Sequence, residues 1–174
     1  MPITLDESQW PLPVVRFENA CSNADVEQYL TARSAWLRRG ELHIPVLDTR
    51  ASQLPPPHQR QRYIDWLARH RPLLVERSLG TAYLITSPAI RVLTSLIRHL
   101  SSLTTAYIAA ATPEEALGWS ACRFQEAGLA SLAQRVRRLE RLPSDASVSD
   151  FPGEPSAFIH GLASTRPAGR LPLG

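Results

Sequence analysis

Gly80-Thr81-Ala82-Tyr83-Leu84-Ile85-Thr86-Ser87-Pro88 decides the fold. A short apolar run, bounded by glycine and by a serine–proline pair, predicts a strand over 81–86. Ser87 then supplies a helix N-cap. Pro88 suits the first helical position, where its missing N–H would have had no partner anyway. Ile90, Leu93, Leu96, Ile97 and Leu100 recur at helical spacing and carry the helix to residue 100. The same order repeats downstream. Thr105-Ala106-Tyr107-Ile108-Ala109-Ala110-Ala111 predicts a small-residue strand. Thr112-Pro113-Glu114-Glu115 reads as a capping box in which Thr112 caps and Glu115 reaches back. Its helix carries Ala116, Leu117, Trp119, Ala121 and Phe124 and stops near Gly128. Two successive strand–helix units predict a parallel sheet with helical crossovers.

Working back from this stretch extends the pattern. Residues 42–48 read as a buried strand, weakened by Pro45, with the polar cluster Asp48-Thr49-Arg50-Ala51-Ser52 as the loop beyond it. After Pro55-Pro56-Pro57 a helix runs to about residue 71, with Tyr63, Trp66, Leu67 and His70 inward. Pro72 is expected to break or kink it before a last turn near Ser78. Residues 22–39 predict a helix that begins on Ser22, with Asp25 in its first turn, and ends at Gly40. Val26, Tyr29, Leu30, Arg33, Trp36 and Leu37 form its face. Residues 3–5 and 13–18 predict two short antiparallel strands. The fold class is therefore α/β: a mixed, mostly parallel sheet of about five strands with four helices, in the order β-β-α-β-α-β-α-β-α over residues 1–127. Residues 128–142 predict a separate basic helix, with Leu132, Val136 and Leu139 as a narrow stripe and Arg135, Arg137, Arg138 and Arg141 around it. Residues 143–174, rich in Pro, Ser, Gly and Ala, predict a disordered tail.

The 174 residues include no lysine; all 19 basic residues are arginine, against 16 acids, for a net charge of +3. That removes Schiff-base, lysine-base and P-loop chemistry. The arginines are spread along the chain and mixed with acids, which argues against nucleic acid as a partner. No basic and apolar leader opens the sequence, and no run approaches a membrane span. Cys21 and Cys122 lack metal-like spacing and read as reduced thiols, so a cytoplasmic protein is expected.

The chain resembles STAS-like domains, of the SpoIIAA-like and SEC14-like bacterial single-domain type. The resemblance rests on Ile3-Thr4-Leu5 with Trp10-Pro11, Val14-Val15-Arg16-Phe17, Val46-Leu47-Asp48-Thr49-Arg50, Arg60 to Leu67, Gly80 to Ile85 and Thr112 to Trp119. It covers about residues 1–127 and implies a regulatory, non-enzymatic protein–protein interaction module. In anti-sigma-factor antagonists of that fold, a serine at the start of the helix after the third strand is phosphorylated and switches partner binding. The equivalent zone here, Asp48 to Pro57, holds Thr49 and Ser52 without an Asp-Ser-Ser-Gly-like sequence.

Asp48, Thr49, Arg50 and Ser52 are thus the candidate phospho-switch or partner loop. A phosphate there would gain from the free N–H groups of a helix start and from Arg50. The plainer role is that Thr49 and Ser52 satisfy loop backbone while Asp48 pairs with Arg50. Arg135, Arg137, Arg138 and Arg141 form a candidate surface for an acidic partner. Cys21, just before an N-cap, is the best single reactive-residue candidate, because helix N-termini lower a thiol pKa. The five histidines show no ligand spacing, so no metal and no cofactor is expected. The alternative function is small-molecule or lipid-head-group sensing, with a small ligand at the carboxyl edge of the sheet; an enzyme is a distant third.

Overall fold

The computed structural model describes residues 2–140. β1 (Ile3–Asp6) and β2 (Val14–Asn19) pair antiparallel, Ile3 opposite Phe17. α1 (Asn23–Arg38) comes next, then β3 (Val46–Ser52), α2 (Pro57–Arg77), β4 (Thr81–Leu84), α3 (Pro88–Leu100), β5 (Tyr107–Ala110), α4 (Pro113–Glu126) and α5 (Ala130–Glu140). β2 to β5 are all parallel, and the strand order is β1-β2-β3-β4-β5. The α/β class and the mostly parallel five-stranded sheet are as the sequence predicts.

This simple order fixes the layers. Each crossover steps to the next strand in the same direction. Right-handed crossovers of that kind place α1, α2 and α3 on one face of the sheet. The packing agrees. One core joins Phe17 and Leu47 of the sheet to Tyr29 and Trp36 of α1 and Trp66 of α2, with Ile97 of α3 against it. The other face carries a second core, in which Val46 and Leu84 meet Phe124 of α4 and Val136 of α5.

Three boundaries differ from expectation. β3 begins at Val46 rather than 42, because Pro45 has no N–H for a ladder. Ile44 instead donates to the Pro11 carbonyl, and the Pro45 carbonyl accepts from Ala82. β3 also runs on through Ser52, so the polar cluster Asp48–Ser52 is strand and not loop. Pro72 does not end α2, which continues as one helix to Arg77. Pro72 is exposed, and Leu74 just beyond it is buried in the first core; burial of that last turn offsets the hydrogen bond lost to the Ala68 carbonyl.

The caps explain where the helices start. Ser22 and Asp25 make a reciprocal capping box on α1. Ser87 and Thr112 cap α3 and α4. Glu115 reaches one residue further back than a capping box requires, accepting from the Ala111 N–H. At Gly80 φ is +149°, and a Cβ would lie 2.5 Å from the Trp119 ring and 2.8 Å from the Ala106 carbonyl oxygen. Only glycine lets β4 start this close to β5 and α4.

The helix predicted over 128–142 is not an appendage. α5 buries Ala133 and Val136 in the second core, while Leu132 packs against it. Its last two predicted residues, and the predicted tail 143–174, lie outside the described residues.

Candidate functional site

A cavity opens in the helical layer at the carboxyl ends of β2 and β3, where α1, α2 and α3 meet. It encloses about 970 Å³ free of protein atoms, its open mouth included. Its floor is sheet: Phe17, Leu47, Thr49 and Tyr83. Tyr29 and Arg33 enter from α1, Tyr63 and Trp66 from α2, and Ile90, Leu93 and Ile97 from α3. Leu54, 54 % exposed in the segment joining β3 to α2, stands at the rim. A shallower groove between α2 and α3 shares Leu93 and Ile97 with it and continues to Leu96 and Leu100.

The mouth is held by polar contacts. Gln59 is buried at the start of α2 and donates both to the Cys21 carbonyl (2.9 Å) and to Asn23 Oδ1 (3.0 Å). These bonds fix the start of α2 against the start of α1. Deeper in, Trp66 Nε1 donates to Ser34 Oγ (3.0 Å), and His70 stacks on the indole at 4.4 Å. That contact sets the plane of the Trp66 wall. His70 does this from within α2, which runs on past the expected end near residue 71 to Arg77.

Among the described residues that line it, Arg33 is the only Asp, Glu, Arg or His. It is 5 % exposed. Its guanidinium lies over Trp66 at 5.0 Å and over Tyr29 at 5.8 Å, and Nη1 donates to the Tyr29 hydroxyl at 3.3 Å. Among the described residues no carboxylate reaches ion-pair distance of it. Two aromatic faces and one phenol stabilise a buried cation by a few kcal/mol at most. Several kcal/mol of desolvation stand against them.

The neighbouring titratable groups stay neutral. Burial pushes the Tyr29 and Tyr63 phenols up. Burial first, and Asp25 second, pushes the Cys21 thiol up. The last point corrects the sequence expectation. The helix N-terminus does not activate Cys21, because its thiol is half-buried and faces the acid of the capping box. Both cysteines are free.

The predicted cluster Asp48, Thr49, Arg50, Ser52 does not form one site. Strand side chains alternate, so β3 sends its residues to opposite faces. Thr49 and Ser52 line the cavity, Thr49 Oγ1 donating to the Leu84 carbonyl (2.9 Å) and Ser52 Oγ to the Gln53 carbonyl (3.2 Å). Asp48 and Arg50 belong to the other face. Arg50 grips Asp48 through Nε and Nη2 at 2.9 and 2.8 Å, and this pairing raises its pKa. Alternation separates Thr49 from Asp48 and Arg50, and the register shift between β2 and β3 beyond Asp48 returns Ser52 to the cavity side.

The basic set on α5 is also divided. Arg135 is exposed, but its guanidinium is engaged, donating to the Gln9 and Trp10 carbonyls. Arg138 is exposed, Arg137 half-buried, and Arg141 lies outside the described residues. Arg33 itself stood in the sequence as one position of an apolar helix stripe. An arginine on an inward stripe was the available signal.

Among the described residues no helix is long and apolar enough to cross a membrane, and no cluster of His, Cys, Asp and Glu is arranged to hold a metal ion. No family model, no curated protein and no solved structure matches the chain significantly.

Proposed function

We propose that this domain is a non-enzymatic binding module that takes a small, largely apolar molecule in the cavity between α1, α2 and α3. The observation that carries the reading is the cavity itself: an open aromatic and aliphatic chamber at the carboxyl ends of the strands. A chamber of this kind is the usual form of a small-molecule site. Its lining offers aromatic walls, with Trp66 anchored on Ser34, and neutral hydroxyls rather than an acid–base pair. The STAS-like resemblance stays a proposal beside this one, supported by the element order, and a regulatory role fits both. The cytoplasmic setting is likewise proposed, on the two free thiols.

The test is direct binding of uncharged probes. Nile red fluorescence should rise on titration with the protein, and 1-octanol should displace the dye and raise the melting temperature. A ligand at about 100 times its Kd stabilises by about 2.7 kcal/mol. Thr94→Trp, placed to fill the chamber from α3, should abolish both effects while leaving the far-UV spectrum unchanged. Dye binding that Thr94→Trp does not alter, or no binding of any apolar probe, overturns the reading.

Partner-protein binding is the second reading, and one observation favours it. Val92, Leu96 and Leu100 succeed one another along a face of α3 and remain 69, 47 and 55 % exposed. Leu96→Glu would then abolish association with a partner and spare the dye response.

A further inference from the structure

We propose that the cavity selects a monoanionic carboxylic acid with an apolar body, its carboxylate paired with Arg33. This rests on the cavity being a ligand site and adds the charge class of the ligand.

The argument begins with an imbalance. Arg33 is a permanent cation, 95 % removed from solvent, with no described carboxylate in reach. Proteins rarely leave a buried charge in that state, because a guanidinium without a counter-ion keeps most of its desolvation cost. Its one side-chain hydrogen bond, to the Tyr29 hydroxyl, leaves Nε and Nη2 without a partner among the described residues. Neither atom is sealed in protein: the sealed orphan nitrogens are Nε of Arg77 and Nη1 of Arg98. The free donors of Arg33 therefore remain accessible, and Arg33 lines this cavity.

The fork of a guanidinium matches the two oxygens of a carboxylate. The number of charges limits the ligand further. One cation and no lining anion make a monoanion neutral on binding. A phosphate monoester would carry a second charge into an apolar chamber with nothing to meet it. The raised thiol and phenol pKa values work in the same direction, since Cys21, Tyr29 and Tyr63 stay neutral and do not repel an anion. Most of the remaining lining is aromatic or aliphatic and suits an alkyl or aryl body, and its polar members, such as Thr49, Ser52 and Thr94, are uncharged.

The experiment compares matched pairs at neutral pH by calorimetry: hexanoate, octanoate and decanoate, each against its own alcohol, with octyl phosphate as a dianion. Wild type should bind the acid of the best pair at least tenfold more tightly than the alcohol, and the phosphate no better than the acid. Arg33→Gln should lose that preference and keep the alcohol. Should Arg33→Gln fail to fold, carboxyl-labelled octanoate bound to wild type gives a second readout. Its pKa by carbon NMR should fall below the free value. Acid and alcohol binding alike, a preference that survives Arg33→Gln, or a bound pKa that does not fall overturns the inference while leaving the cavity a ligand site. Binding of neither member of any pair overturns both.

Discussion

His43 lies at the opposite end of the molecule from the cavity mouth, 1 % exposed and stacked on Trp10 with centroids 5.4 Å apart. Its Nδ1–H donates to the Glu41 carbonyl (3.1 Å). Burial, aided by the positive charges of Arg33 and Arg39, lowers its pKa to about 4. The folded protein thus holds a neutral imidazole that the unfolded chain would protonate near pH 6.5. A folded pKa below the unfolded one gives stability that is complete above about pH 6.5. It is lost as pH falls toward 4, by about 3 kcal/mol from this residue. Urea midpoints measured from pH 7 to 4 should decline accordingly. His43→Gln should flatten that slope, and an unchanged slope would refute the assignment. The sequence showed His43 only as one of five histidines without ligand spacing. The ring that stacks on it, Trp10, comes from the distant connection between β1 and β2, so no local pattern could announce its burial. Arg33 differs: its place on the inward stripe of α1 was legible, but its lack of an acid is a property of the assembled layer.

At the level of elements, β5 is an edge strand, and an edge strand exposes backbone groups to other chains. The carbonyls of Ala106 and Ala110 face β4 and accept from Thr81 and Ile85. The alternate carbonyls face outward. Two of them are occupied: Thr105 accepts from Arg98, and Ala109 accepts from Arg91 (3.0 Å), both arginines reaching over from α3. Arg98 also lies on the Tyr107 ring at 4.0 Å. In a chain without lysine, arginine guards the edge by bonding it. Replacing both arginines with alanine should leave the fold and free the edge. Light scattering should then show concentration-dependent self-association that wild type lacks; a variant that stays monomeric would show that the arginines do not protect it. Most of the elements themselves were legible, because Ser22, Ser87 and Thr112 act through neighbours three residues away. β3 was misplaced for a physical reason. Its apolar run ends at Leu47, while its ladder extends to Ser52 because β2 continues to pair with it after β4 has stopped at Asp48. Strand extent depends on pairing, and pairing is not local.

At the scale of the whole fold, the described residues form two cores because the strand order never doubles back. With α1, α2 and α3 all on one face, the other face of β3 and β4 must be covered by the helices beyond β5. One helix is narrow against a sheet of this width. α4 supplies Ala116, Ala121 and Phe124, and α5 adds Ala133 and Val136 beside them. The sequence set α5 apart because its stripe is narrow and its charges all but one positive; the bare sheet face that requires it appears only once the strand order is known. Val26 on α1 and Val136 on α5 are each 2 % exposed, one in each core, so their truncation compares the two faces at equal burial. Each valine-to-alanine change should cost about 2 kcal/mol in chemical denaturation, through lost methyl burial and an incompletely closed cavity. In each variant, tryptophan fluorescence and far-UV signals should unfold together, since the cores share one sheet. If α5 were only a tether for an acidic partner, Val136→Ala would cost nothing measurable while Val26→Ala kept its full effect. Equal costs make α5 structural, and leave exposed Arg138 and half-buried Arg137 as the part of its basic face open to a partner.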